Sequence, residues 1–261
     1  MSAVESAVGD ALVYVYAITG MTGIGELPAV EGVAGAPVRA ITAGELAAVV
    51  SSVDTAEFGE EALRRNLEDL SWLERTARAH HAVVDAVARP GPAAPLRLAT
   101  VYLSDDNVRS MLDEQQVRFT TALDRVRGRA EWGVKAFGRP QPVDPVGEEP
   151  TGPAAGPGTT YLMRRRTERD RAARSLAQAH EQAERLHTSL ARLAVTSRAY
   201  PPQDPRLSGE RDEMVLNAAY LVEETRGPAV RELVDTWDAP GLRLELTGPW
   251  APYSFASPDD S

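Results

Sequence analysis

A chain of 261 residues with 43% hydrophobic and 25% charged side chains can bury one large core or two smaller ones, and this composition is not that of a disordered protein. The sequence has no cysteine, which excludes disulfides, thiolate zinc sites and cysteine nucleophiles. A net charge of −10 opposes nucleic-acid binding, and the longest apolar run, Ala11 to Ile18, is too short to cross a bilayer.

The opening residues MSAVESAVGD lack both the basic and the apolar region of a secretory signal, so a cytoplasmic protein with no membrane partner is expected. Ala11 to Ile18, rich in β-branched and aromatic residues and closed by Thr19-Gly20, reads as a buried strand. Pro37 to Ile41 and Leu46 to Val53 read as two further strands across the turn Thr42-Ala43-Gly44. From Gly59 to Arg89, Leu63, Leu67, Leu70, Leu73 and Ala77 recur at helical steps until Pro90-Gly91-Pro92, giving one long helix or two joined near Ser71.

Leu96 to Leu103 reads as a strand, and Ser104-Asp105-Asp106 supplies caps for a helix carrying Val108, Met111, Leu112, Phe119, Leu123 and Val126. Glu131 to Phe137 alternates, as a half-buried strand does. Residues 138 to 158 hold too much proline and glycine for a regular element. A long helix follows from Thr160 to Leu193, with a seam of Leu176, Ala179, Ala183, Leu186, Leu190 and Leu193 that fits a coiled coil or a helix lying on a sheet. Strands at 194 to 200 and Met214 to Val222, a short helix from Pro228 to Trp237, and an alternating strand from Leu242 to Thr247 complete the order. From residue 131 this is β, long α, β, β, short α, β, the split-βαβ order of ferredoxin-like folds.

Three groupings imitate functional sites. His180, Glu184 and His187 share a helical stripe, but their solvent-type neighbours favour a wet helix face over a metal site. Gly20-Met-Thr-Gly-Ile-Gly25 follows a strand, yet its spacing is wrong for a phosphate loop and no Lys-Ser/Thr follows. Arg164-Arg165-Arg166 near a helix start opposes the helix dipole and reads as a charged face or as a contact with an acidic neighbour. His80 and His81 point to different sides of their helix. No nucleophile, metal or paired-carboxylate signature appears, so neither catalysis nor a cofactor is expected.

The tail LTGPWAPYSF is different. Exposing Trp250, Tyr253 and Phe255 together would leave a large apolar patch, so docking on the protein's own body is expected. Gly248 permits a turn, and Pro249 and Pro252 favour a stiff, extended arrival. The segment resembles the terminal GPWPPYSF motif of the gas vesicle GvpL/GvpF family, with Ala251 in place of a proline. Tyr14-Val-Tyr16, Pro95 to Thr100, Glu131 to Lys135, Tyr161 to Arg166 and Leu216 to Val222 agree with that family in the same order.

The resemblance implies an α+β protein of two domains. These are an N-terminal domain over 1–130 and a modified ferredoxin-like domain over 131–247 that contains the long helix and the 138–158 loop. The aromatic tail over 248–261 is then packed between them, with Gly248, Pro249, Trp250, Pro252, Tyr253 and Phe255 as its contact residues. It further implies a non-enzymatic, minor structural or accessory protein of gas vesicle assembly, on the gas-facing surface of the shell, whose partners are the small shell protein and other gas vesicle accessory proteins. A ligand-binding or regulatory ferredoxin-like protein is the alternative. Because loop length alters stability only slowly, replacing residues 139 to 158 by a short Gly/Ser link should preserve a cooperative urea transition; a non-cooperative one would show that this stretch packs.

Overall fold

The computed structural model describes residues 11–21, 30–138, 157–202 and 212–256. The chain divides into two compact units, one formed by residues through Glu131 together with those from Pro249 onward, the other by Trp132–Gly248.

In the first unit the central strand is β1 (Ala11–Gly20), buried over nearly its whole length. It pairs antiparallel with β3 (Leu46–Asp54), which pairs with β2 (Val38–Ala43) across the expected turn, where Gly44 takes φ 57. On its other side β1 pairs with β4 (Ala93–Pro95) and β5 (Val101–Tyr102). The strand expected over Leu96 to Leu103 is therefore interrupted. Leu96 N–H donates to Tyr16 O, and pairing resumes only where Val15 N–H donates to Thr100 O. The residues between them loop out, closed by Thr100 bonding Arg97 O and by Ala99 at φ 62.

The helix expected from Gly59 to Arg89 is three pieces: α1 (Thr55–Phe58), α2 (Glu60–Asn66) and α3 (Leu70–Ala88). Gly59 is extended, at ψ 159, and Asp69 caps α3 by accepting from Ser71 N–H and Trp72 N–H. The leucine spacing misleads here, because Leu67 and Leu70 are 46% and 79% exposed and belong to no continuous core stripe. The following helix also divides, into α4 (Asp105–Glu114), capped by Ser104, and α5 (Gln116–Val126). Its six expected apolar residues are all buried against one face of the sheet, with Val13, Val15, Ile18 and Ile41. The opposite face carries Tyr14, Tyr16, Phe58, Trp72, Val83, Val84 and Val87.

The second unit is built from β6 (Arg129–Gly138) beyond its first three residues, α6 (Pro157–Leu193), β7 (Thr196–Ala199), β8 (Glu213–Glu223), α7 (Gly227–Asp235) and β9 (Leu242–Trp250) as far as Gly248. Its sheet has the order β7-β8-β6-β9, and both sheets of the molecule are antiparallel. Trp132 and Val134 of β6, with Ala218, Tyr220 and Val222 of β8, form an apolar face covered by Leu186 and Leu190 of α6 and Val230 and Val234 of α7. The seam of α6 thus packs on a sheet. Its small residues allow close approach: a Cβ on Gly138 would stand 3.3 Å from that of Ala179. Burial begins only at Ala179, and every described side chain from Met163 to Arg174 is exposed. Residues 139–156 and 203–211, covering most of the two expected loops, lie outside the described residues, as do 22–29 with most of the Gly20–Gly25 motif.

Candidate functional site

The densest set of buried polar groups lies in the first unit, on the face of β1 that meets α3. The register of β1 against β3 shifts between Val15 and Ala17, so Tyr16 is an extra residue in the strand. Tyr14 and Tyr16, two residues apart, turn to the same side by ordinary strand alternation, with ring centroids 4.8 Å apart. Both side chains are fully buried, and each hydroxyl has two partners. Tyr14 Oη accepts from Ala99 N–H at 3.0 Å, which leaves its proton for His80 Nδ1 at 2.9 Å. Tyr16 Oη accepts from Val33 N–H at 2.8 Å and donates to Ser51 Oγ at 3.0 Å, and Ser51 in turn donates to Pro37 O at 2.9 Å. Gly32 is required beside them, since a Cβ there would fall 2.2 Å from Tyr16 Oη.

Burial raises the pKa of both tyrosines above the usual phenol value. For His80 the same burial lowers it to about 4, against the pull of the Leu96 backbone. The histidine is therefore neutral near pH 7, as an Nδ1 that accepts from Tyr14 requires. His80 is 3% exposed, whereas its neighbour His81 is half-buried and lies 3.4 Å from Asp85.

The aromatic tail docks on these two histidines. Tyr253 stands 6.1 Å from His80 and stacks on His81 at 6.0 Å, and Trp250 meets His81 edge-on at 5.0 Å. Pro252, Phe255 and Ala256 are buried, with Ala251 and Tyr253 in the α3-side cluster and Ala256 in the cluster on the opposite face. Trp250 remains 41% exposed, so the three aromatics are not buried alike. The tail is extended through Trp250, within β9, and turns only beyond it, where Phe255 N–H and Ala256 N–H both donate to Pro252 O. Gly248, at φ 111, sits within β9, which runs through Pro249 to Trp250 instead of stopping at Thr247. An anchor not anticipated from sequence completes the dock, with Ser254 N–H and Oγ–H donating to the two oxygens of Glu131 at 2.7 and 2.5 Å. Burial, with Asp85 next in effect, raises the pKa of Tyr253, whose hydroxyl has no hydrogen-bond partner among the described residues.

The remaining groupings separate. His180 Nδ1 lies 3.0 Å from Leu176 O on an exposed turn, while His187 is not on a wet face but meets Tyr220 Oη at 2.7 Å. No cluster fit to hold a metal ion occurs among the described residues, and none of their helices is long and apolar enough to cross a membrane. Arg165 and Arg166 are exposed. A cleft of about 440 Å³ beside α3, lined in part by Gly32, Trp72, Arg75 and Thr76, has its indole N–H already committed to Glu57 at 2.7 Å.

Residues 12–257 match the family model described as gas vesicle synthesis protein GvpL/GvpF. The chain is 45% identical to gas vesicle protein L of Streptomyces sp. (strain CB03234), over 95% of this chain and 93% of that one. It is 27% identical to gas vesicle protein L2 of Halobacterium salinarum, over 93% and 90%. Its fold resembles the crystal structures of GvpF from Anabaena sp. PCC7120 (TM-score 0.63, 19% identity, 95% and 96% covered) and Microcystis aeruginosa (0.64, 18%, 94% and 99%).

Two predictions concern the dock. Phe255→Ala should destabilise the protein by about 3–5 kcal/mol and Trp250→Ala by less, about 1–2 kcal/mol; equal shifts in urea unfolding would contradict the difference in burial. Because His80 binds its proton less readily in the folded state than in the unfolded, stability should be complete above about pH 6.5 and fall as the pH drops toward 4. The loss should reach about 3 kcal/mol. His80→Gln should remove that part of the pH dependence, and an unchanged profile in this variant would assign it elsewhere.

Proposed function

The chain belongs to the GvpL/GvpF gas vesicle family, and we propose that it is a minor structural or accessory protein of gas vesicle assembly that binds the small shell protein and other accessory proteins without turnover. The observation that carries this reading is the family match from residue 12 to residue 257, which takes in both units. The buried tyrosines and histidine have partners inside the fold, which suits a scaffold rather than a reaction centre. The second unit is, on this reading, a modified ferredoxin-like domain, its sheet order matching the βαββαβ connection. The tail from Gly248 to Phe255, continuous with β9 and anchored in the first unit, is its clasp. The protein works in the cytoplasm and at the gas-facing surface of the vesicle shell.

Recognition of the shell protein by strand addition suits β7, which ends the described sheet, with Val195 47% and Tyr200 38% exposed beside it. Tyr200 N–H donates to Asn217 O of β8, so by the alternation of an antiparallel pair the Ser197 and Ala199 amides point away from β8. Main-chain pairing of this kind needs no metal and tolerates moderate salt. Full-length protein should therefore retain shell protein in a pull-down with chelator present, and Ser197→Pro, which removes one outward amide, should weaken retention while leaving the circular dichroism spectrum unchanged. Failure of the wild-type chain to retain shell protein or any vesicle accessory protein would overturn the assembly reading.

A further inference from the structure

The first half of α6 is unusual. Between Arg164 and Arg174 it holds six arginines against Glu168 and Asp170, a local charge of +4 that leaves −14 on the rest of the chain. From Arg169 to Arg174 every side chain is exposed, so the helix is wet all round over more than a full turn, and Met163 before it is 64% exposed. A helix that is polar on all sides gains nothing from core burial, and like charges three or four residues apart weaken it further. Arg166 and Arg169 form such a pair, as do Arg171 and Arg174. Its charge is thus unbalanced along the helix itself.

A complementary surface exists on the first unit. Asp54 to Asp69, covering α1, α2 and the cap of α3, carries six acidic residues against Arg64 and Arg65, a local charge of −4. Asp54, Glu60, Glu61, Glu68 and Asp69 are exposed, and beside them stand the uncovered Leu67 and Leu70. Of the carboxylates in this segment, Glu60 pairs with Arg64 at 2.6 Å, Glu57 accepts from the Trp72 indole N–H at 2.7 Å, and Asp54 and Asp69 accept from backbone amides. Each surface therefore offers charge of one sign and similar size beside exposed apolar side chains.

We propose that these two surfaces are halves of one self-association interface, in which the Arg164–Arg174 segment of one copy docks on the Asp54–Asp69 surface of a second copy. The contact is heterologous, since it joins different patches on the two copies. Each docked pair leaves one basic helix and one acidic surface open, so the contact propagates into a ring or an open row unless it is capped. A second copy is favoured over a polyanion because the −14 carried outside the helix segment repels nucleic acid and anionic membranes, while within this chain it supplies the acidic complement.

Sedimentation of the full chain tests the proposal. At about 50 mM salt the weight-average mass should rise with concentration above the 28.1 kDa monomer, and association should weaken roughly tenfold or more by about 0.5 M salt, where screening is strong. Arg166→Glu/Arg169→Glu/Arg171→Glu and, separately, Glu60→Arg/Glu61→Arg/Glu68→Arg should each be monomeric, with unchanged circular dichroism. Mixing the two variants should restore association, because each then presents the complement of the other. A wild-type chain that stays monomeric at low salt, variants that associate as the wild type does, or a mixture that fails to associate would each overturn the interface. Monomeric wild type that binds a labelled DNA duplex or phosphatidylserine vesicles, and loses that binding in the arginine variant, would overturn it in favour of a polyanion partner.

Discussion

The first unit is arranged around the need to satisfy two phenol hydroxyls at its centre. A buried hydroxyl without a partner costs more than an average hydrogen bond contributes, and Tyr14 and Tyr16 are both wholly inside. Their partners come from Val33, Ser51, His80 and Ala99, between 17 and 85 residues away in sequence. One strand thus positions the turn before β2, the middle of β3, the axial setting of α3 and the looped-out edge between β4 and β5. Tyr14 and Tyr16 share this face by ordinary alternation, and the bulge at Tyr16 adds Ala17 to it, where strict alternation would carry Ala17 to the opposite face. The left-handed Ala99 is a local cost of the same arrangement, because it lets an edge amide reach Tyr14.

The tail depends on that core in turn. His80 is held by Tyr14, and its helical neighbour His81 is thereby presented to Tyr253 and Trp250. Apolar burial of Phe255 supplies most of the attachment, while the paired bonds of Ser254 to Glu131 fix the register in which the rings meet the histidines. Glu131 lies near the start of β6, so the residue where the chain enters its second sheet is also the residue that receives the returning tail.

What the sequence revealed follows from the range of the forces involved. Strands such as Ala11 to Ile18 and Leu46 to Val53 are written in local apolar runs, and the order from β6 to β9 could be read from periodicity alone. The breaks at Gly59 and Asp69 were hidden because Leu63, Leu67 and Leu70 keep helical spacing across them, although two of the three are substantially exposed. Asp69 was a visible cap signal and could have marked the start of α3. The bulge at Tyr16 and the turn at Ala99 had no local signal, since they answer to partners far along the chain. The aromatic tail was conspicuous by composition, but its turn at Pro252 and its anchor on Glu131, 123 residues away from Ser254, were not.

The two halves of α6 show how one element serves two physical roles. From Ala179 to Leu190 its stability comes from packing on the sheet, and small residues at Ala179 and Ala183 set the distance of approach. Toward the N-terminus the same helix continues without that support, helped by propagation from the packed half and by local bonds such as Arg174 Nε–H to Asp170 O. Arginine and alanine are strong helix formers, so the extension persists without a core to bury. In this fold the buried polar groups are largely consumed internally. The surfaces proposed here for recognition are a strand edge, whose contacts are short-ranged and stereospecific, and a charged helix, whose field reaches about 10 Å at moderate salt. On that proposal the helix would act first in an encounter, and the strand edge would decide which encounters last.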